Sequence, residues 1–408
     1  MSKLSLFAAA AVFAAAQLHA ATPEAAMNAA TVPGADVYGY ADCAKVYAAP
    51  IVKKLTEFSD KLQSFMKEKA ASDDMKKFEV FKEACKRAGI SEDNLAAISY
   101  SLNVGKIIDK AIKASDGGEL KIDFAEDLGI LLAVSVKKPV TKDTLNKLAA
   151  EFVKILPDDF TDEFPGKAET ADFTHGGATG FTFTFKIDED DLDDMPFDKP
   201  PVLSIAMLAG DKVFVAGFDK DVKAAVDRAN KGEKAEPSAE LKKLLDSTLG
   251  GKALSKRDDY AAIVMPKAFR DKMAELESEM KDFPIAGVVP ALQAAKVLQG
   301  LRIVAEYGDK LDATFNLALD NAESANNFKD FLQINVLGMA KMGLFQITGK
   351  NTAFAESLAA VTDAASTSIN FTITSADLDF FLDLIKKKLE APAFAPFFMD
   401  EDDDDDDD

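Results

Sequence analysis

The side chains able to do chemistry are few, and their spacing is wrong for the common catalytic constellations. The chain has two histidines, His19 and His175. His19 lies in an apolar N-terminal leader, so removal of that leader leaves one imidazole, His175, beside Gly176-Gly177. A Ser–His–Asp triad has little to draw on, and neither has a zinc site built from several histidines. Gly176-Gly177-x-x-Gly180 has the spacing of neither a P-loop nor a dinucleotide fingerprint. His175 therefore reads as an exposed turn residue. Cys43 and Cys85 have no neighbouring histidine and form no Cys-x-x-Cys, so a thioredoxin-like redox role has no support. Gly-x-Ser-x-Gly, the nucleophile elbow, is absent. Carboxylates are plentiful, at 69 Asp and Glu. A glycosidase-type acid pair is compatible with that abundance, but proximity in sequence does not identify one.

The acidic runs are the unusual chemistry. Asp188-Glu189-Asp190-Asp191-Leu192-Asp193-Asp194 lacks the glycine and terminal glutamate of an EF-hand loop. The chain ends on Asp400, Glu401, Asp402, Asp403, Asp404, Asp405, Asp406, Asp407 and Asp408. These carboxylates lie closer together than the screening length of about 8 Å, and folding them would raise their repulsion without apolar burial to offset it. The tail is expected to be disordered, with a solubilising role or weak, multi-ion calcium binding. No other cofactor is expected. Ahead of the tail, Ala391-Pro392-Ala393-Phe394-Ala395-Pro396-Phe397-Phe398 reads as an interaction motif or as a segment docked on the body.

Residues 1–20 set the compartment. Lys3 gives a positive start, 4–18 is apolar and Ala-rich, and Ala20-Ala21 supplies small residues for a peptidase. That pattern is a secretory signal peptide cleaved near Ala20, which implies a periplasmic or secreted protein. No later run reaches membrane-spanning length, so no integral membrane segment is expected in the mature chain. Two cysteines in an oxidising compartment suggest a Cys43–Cys85 disulfide. The expected helices at 50–71 and 74–88 oppose it, because a straight hairpin holds the two far apart while a bond needs Cα atoms within about 7 Å. The pairing stays open on sequence grounds.

The net charge of −21 argues against nucleic acid. Arginine, the residue of bidentate phosphate and base contacts, is limited to Arg87, Arg228, Arg257, Arg270 and Arg302. Tryptophan is absent, which weakens a carbohydrate platform, whereas phenylalanine numbers thirty.

The elements that must position any site read as α+β. Residues 21–35 are small and polar with two prolines, as in a flexible leader. Ile51, Leu55, Phe58, Leu62 and Phe65 recur at helical spacing and mark a core-facing stripe. Phe181, Phe183 and Phe185 alternate with Thr182 and Thr184, predicting a hairpin strand with its phenylalanines inward. Further strands are expected over 202–208, 213–217, 260–265, 301–306, 311–319 and 367–374. Helices are expected over 322–342, 352–363 and from Ser375 to about 389. Gly250-Gly251 and the polar stretch after it separate a first α+β domain, 36–250, from a second, 258–390, followed by the tail at 391–408. Leu203-x-Ile205 precedes Gly210-Asp211-Lys212 at the spacing by which Leu301-x-Ile303 precedes Gly308-Asp309-Lys310. The match points to a tandem repeat of one α+β unit, mainly antiparallel sheet with helices packed on it, in a β-α-β-β-α-β order compatible with a duplicated ferredoxin-like unit.

A short strand followed by a long helix, after a signal peptide, resembles a broad group of exported bacterial α+β proteins of unknown function. The resemblance is architectural and carries no catalytic residue with it. The expected function is that of an exported soluble, non-catalytic binding or structural protein acting through a protein partner. The rival is a carboxylate-based hydrolase with its cleft between the two halves. Acids converging in a deep pocket would distinguish the rival.

Overall fold

In the computed structural model the described residues are 23–67, 83, 85–87, 90–115, 117, 119–124, 126–147, 166–187, 197, 199–280 and 288–390. Residues 1–20, expected as a signal peptide, the acidic run at 188–194 and the tail at 391–408 lie outside them, as does the side chain of Phe185.

Helix α1 (Pro23–Ala29) precedes β1 (Val37–Ala41), α2 (Cys43–Ala48) and α3 (Pro50–Lys67). Then come β2 (Leu95–Asn103), α4 (Gly105–Ser115), β3 (Gly129–Val136), the hairpin β4 (Gly166–His175) and β5 (Ala178–Ile187), and the hairpin β6 (Val202–Leu208) and β7 (Val213–Phe218). Helices α5 (Asp219–Lys231) and α6 (Ala239–Asp246) lead to a small ribbon, β8 (Thr248–Leu249) with β9 (Lys252–Ala253). The chain continues through β10 (Asp259–Val264), α7 (Lys267–Glu279), α8 (Val288–Val297), β11 (Leu298–Tyr307) and β12 (Lys310–Leu319). It closes with α9 (Ala322–Phe331), a π turn (Leu332–Leu337), α10 (Gly338–Thr348), α11 (Ala353–Ser357), β13 (Ala359–Asp363), β14 (Ser366–Thr374) and α12 (Ser375–Glu390).

The main sheet has twelve strands in the order β13-β14-β12-β11-β10-β1-β2-β3-β7-β6-β5-β4, every neighbouring pair antiparallel. The two halves of the sequence join where β1 pairs with β10, Tyr40 opposite Tyr260. The α+β class holds. The ferredoxin-like order does not, because such a unit interleaves its two βαβ halves, whereas here β1, β2 and β3 lie side by side in chain order. Periodicity identifies strands but not their neighbours, so the correction concerns pairing alone.

Alternation along the strands gives the sheet two different faces. The first carries Tyr38, Ser101, Leu131, Val215 and Ala206 across the N-terminal half, and Tyr260, Arg302, Asn316 and Ser368 across the C-terminal half. Helices α1, α5 and α6 pack on this face up to β10. Beyond the edge of α6, whose Leu244 reaches Gly300 of β11, its side chains become polar: Asp312, Thr314, Asn316, Ser368 and Asn370. The second face is apolar. Phe181 and Phe183, 4% and 7% exposed, pack edge to face at 5.0 Å in a cluster with Cys43, Leu95, Val136 and Phe214. Tyr100 lies directly across from Gly39, and its ring occupies the space a Cβ there would fill, at 2.3 Å.

Residues 23–35, expected as a flexible leader, are instead part of the core. Ala26, Ala29 and Ala35 are fully buried, with Ala30 and Val32 nearly so. Small side chains resemble linker composition, but here they let a short helix approach the sheet closely. Arg228 of α5 fastens the segment, donating from Nε to the Ala29 carbonyl at 3.0 Å and from Nη2 to that of Thr31 at 2.9 Å. The Val32 N–H donates to Ser101 Oγ at 2.9 Å. A second difference lies at 352–363, where the expected helix stops at Ser357 and β13 takes over. Thr352 caps that short helix through its hydroxyl, 3.1 Å from Ala355 N.

Asp127, buried between α4 and β3, accepts the Asp123 N–H at 2.7 Å and an ion pair from Lys110. Burial alone would raise its carboxyl, but the hydrogen bonds from Lys110 and Asp123 outweigh burial and hold it below the ordinary carboxylate value. A lowered native value contributes stability that is present above about pH 4 and lost as the pH falls through that native value. Asp127→Asn is therefore expected to lower the melting temperature near pH 7, with the gap to the parent closing under acid conditions. A gap that is the same at pH 7 and below pH 4 would show that Asp127 acts through shape rather than charge.

Candidate functional site

Two surfaces stand out. The first is the helix running unbroken from α9 through the π turn into α10. Between residues 331 and 349 its only charge is Lys341. Leu332 and Leu337 are buried, five residues apart, and Leu344 packs in the same cluster against the sheet's second face. Ile334 and Met339 are also five apart and point outward. A π turn closes its hydrogen bonds over five residues, so it keeps both pairs in phase where an α-helix would rotate them away. The outward side presents Ile334 at 71% exposure, Met339 at 61%, Met342 at 58%, Ile347 at 57% and Phe345 at 49%. Single exposed apolar residues are ordinary, but a contiguous row on one helix marks a surface built to be covered. Flexible methionines suit a contact that must adapt to its partner.

The second surface is a cleft of about 510 Å³ on the sheet's first face, where the two halves join. Tyr38, Tyr40 and Tyr260 lie along it, Tyr260 6.1 Å from Tyr38 and 5.9 Å from Tyr40 between ring centroids. Burial pushes all three phenols above their ordinary value, so they stay neutral and can donate a hydrogen bond but not take a proton as phenolates. Two acids converge at its mouth. Asp42 and Asp258 both reach Lys45 Nζ, at 3.1 Å and 2.8 Å, and the pair holds that exposed ammonium above its usual range. Asp42 and Asp258 thus make an acid pair at the join of the halves. Its members, however, are bridged by a cation instead of being spaced around a substrate, and the cleft is open.

Of the candidate residues read from sequence, Cys43 is buried and Cys85 half-buried, both as free thiols, and burial raises each. Asp400 to Asp408, the candidate calcium ligands, lie outside the described residues. Among the described residues no group of three or more His, Cys, Asp or Glu is placed to hold a metal. His175 ends β4 just before the Gly176-Gly177 turn and is tethered, its Nε2 2.8 Å from Asp227 Oδ1 on α5. The tyrosine row and the Lys45 bridge were not legible in sequence, since their members come from strands, the α2 helix and a loop over 200 residues apart. The helix face left a signal, a long apolar stretch with one charge, which reads equally well as a core helix.

No protein-family model matches the chain. No curated protein matches it significantly. Among solved structures the chain is similar to crystal forms I and III of TP0453, with 11% and 12% identity, 88% of this chain covered in each, 96% and 97% of those chains covered, and a TM-score of 0.31 for both. A TM-score that low carries no functional argument. Among the described residues no helix is long and apolar enough to cross a membrane.

Proposed function

We propose that this is an exported, non-catalytic binding protein that works through protein interaction, and that the outward face of the 332–348 helix is where its partner docks. The carrying observation is the exposed row Ile334, Met339, Met342, Phe345 and Ile347. Interfaces draw their affinity from a central apolar cluster, and methionine and aromatic residues are enriched there. The partner is a protein with an apolar patch ringed by basic residues. Acids outnumber bases 69 to 48 in this chain, so a basic rim gains from its field while a second copy is repelled. Residues 1–20 would direct export to the periplasm or the exterior. The tail at 400–408 would add solubility and a weak calcium response.

The test is a comparison of the parent chain with Met342→Glu, a position exposed enough to change without disturbing the fold. The parent is expected to be monomeric in sedimentation and to retain one basic protein from an extract of the exporting cell. That capture should weaken at least tenfold in Met342→Glu and with added salt, while the melting temperature stays the same. Capture indifferent to the substitution, or a dimer that the substitution dissociates, would overturn the proposal. Binding to neutral phosphatidylcholine vesicles that the substitution abolishes would replace the protein partner with a lipid surface.

A further inference from the structure

At the sheet's polar end two arginines form no ion pair with a carboxylate among the described residues. Arg302 of β11 is 5% exposed. Its Nε donates to Asn316 Oδ1 at 2.7 Å and its Nη1 to Ser247 Oγ. Asn316 passes the chain on, donating from Nδ2 to Ser368 Oγ at 2.8 Å. Arg270 of α7 donates from Nη1 to Gln299 Oε1, and its buried Nε has no partner. Among the described residues neither guanidinium forms an ion pair with a carboxylate, although Arg257 close by does so with Glu306. Burial works against the Arg302 charge, and the attraction of Asp363, which forms no ion pair with it, offsets that only in part. In a chain with 69 acids a partner was easy to supply. Both arginines line one cleft of about 500 Å³ between α6, α7 and the β11–β12 end of the sheet.

We propose that this cleft binds a small carboxylate of the amino-acid class, its carboxylate on Arg270 and Arg302. A guanidinium fork matches a carboxylate in two parallel hydrogen bonds. The rest of the lining selects among anions. Lys243 brings a third positive charge, and Glu240, Asp320 and Asp363 bring three negative ones. A dianion such as phosphate meets repulsion from those acids, whereas an ammonium next to the carboxylate gains from them. Leu244, Val264 and Leu319 form an apolar wall suited to an aliphatic side chain. The site lies apart from the helix face proposed for the protein partner and is independent of that reading.

Calorimetry and thermal shift on the full chain test it, with L-leucine, acetate and inorganic phosphate as probes and Arg270→Gln as the variant. Arg270 sits on a helix at the cleft's edge, so its replacement leaves the buried Arg302–Asn316–Ser368 chain in place. Leucine is expected to bind in the millimolar range or tighter and to raise the melting temperature, acetate to bind at least tenfold more weakly, and phosphate not at all. Arg270→Gln should lose leucine binding at least tenfold with its unliganded melting temperature kept. No response to leucine, equal binding of leucine and acetate, tighter binding of phosphate, or unchanged leucine binding by Arg270→Gln would each overturn the proposal.

Discussion

Phe183→Ala is expected to destabilise the fold by about 3–5 kcal/mol, read as a shift in the denaturant midpoint with little change in slope. The side chain is 7% exposed and meets Phe181 edge to face. Deletion removes the transfer energy of the ring and leaves a cavity among Phe181, Met207 and Phe214. Collapse of that cavity is restrained, because Leu203 of β6 pairs directly with Phe183 and Phe218 of β7 with Leu203, so the wall is hydrogen-bonded sheet. Thr184→Ala, on the opposite face of the same strand and only partly buried, is the control and should cost under 1 kcal/mol. Equal effects from the two substitutions would mean that the strand register is shifted by one residue.

That hairpin was legible because its signal is local. Phe-Thr alternation fixes the face, and Gly176-Gly177 supplies two successive residues at positive φ, 56° and 83°, which a tight two-residue turn requires. The β6–β7 and β11–β12 hairpins were legible for the same reason. Features that depend on distant partners were not. Alanines at 26, 29 and 30 look like a linker until Arg228, some 200 residues on, is seen to hold the carbonyls of Ala29 and Thr31. The strand order across the join of the halves follows from which edge of β1 meets β10, which no spacing encodes. Both candidate binding surfaces share this property. The arginine cleft needs α6, α7, β11 and the turn after β13 at one point. The helix face needs the π turn, whose five-residue phase mimics an interruption in a 3.6-residue pattern.

The second large effect is expected at Asp377. The last helix begins at Ser375. The cap lies one residue earlier, at Thr374, in a reciprocal arrangement with Asp377 three positions on. Asp377 Oδ2 accepts from Thr374 N at 2.9 Å and from Thr374 Oγ1 at 2.6 Å, and the Thr374 hydroxyl oxygen lies 3.2 Å from the Asp377 N–H. The other carboxylate oxygen accepts the Phe354 N–H at 3.1 Å. One carboxylate, 4% exposed, thereby ties β14, α12 and α11 together. Asp377→Ala removes a charged cap and leaves the Phe354 N–H without its acceptor inside the protein. Hydrogen bonds to charged groups contribute about 1.5–3 kcal/mol and an orphaned buried donor costs a further 1–3, so a loss of about 3–4 kcal/mol is expected. Asp377→Asn keeps one acceptor oxygen and should recover at least half of it. The loss should also be regional. Hydrogen exchange is expected to rise first in 353–357 and 375–381, where Phe354 packs against Phe381 at 5.8 Å, before the β4–β7 strands respond. Exchange that rises in the two halves of the sheet together would show that α12 does not open on its own, and a loss under 1 kcal/mol for Asp377→Ala would mean that water replaces the cap.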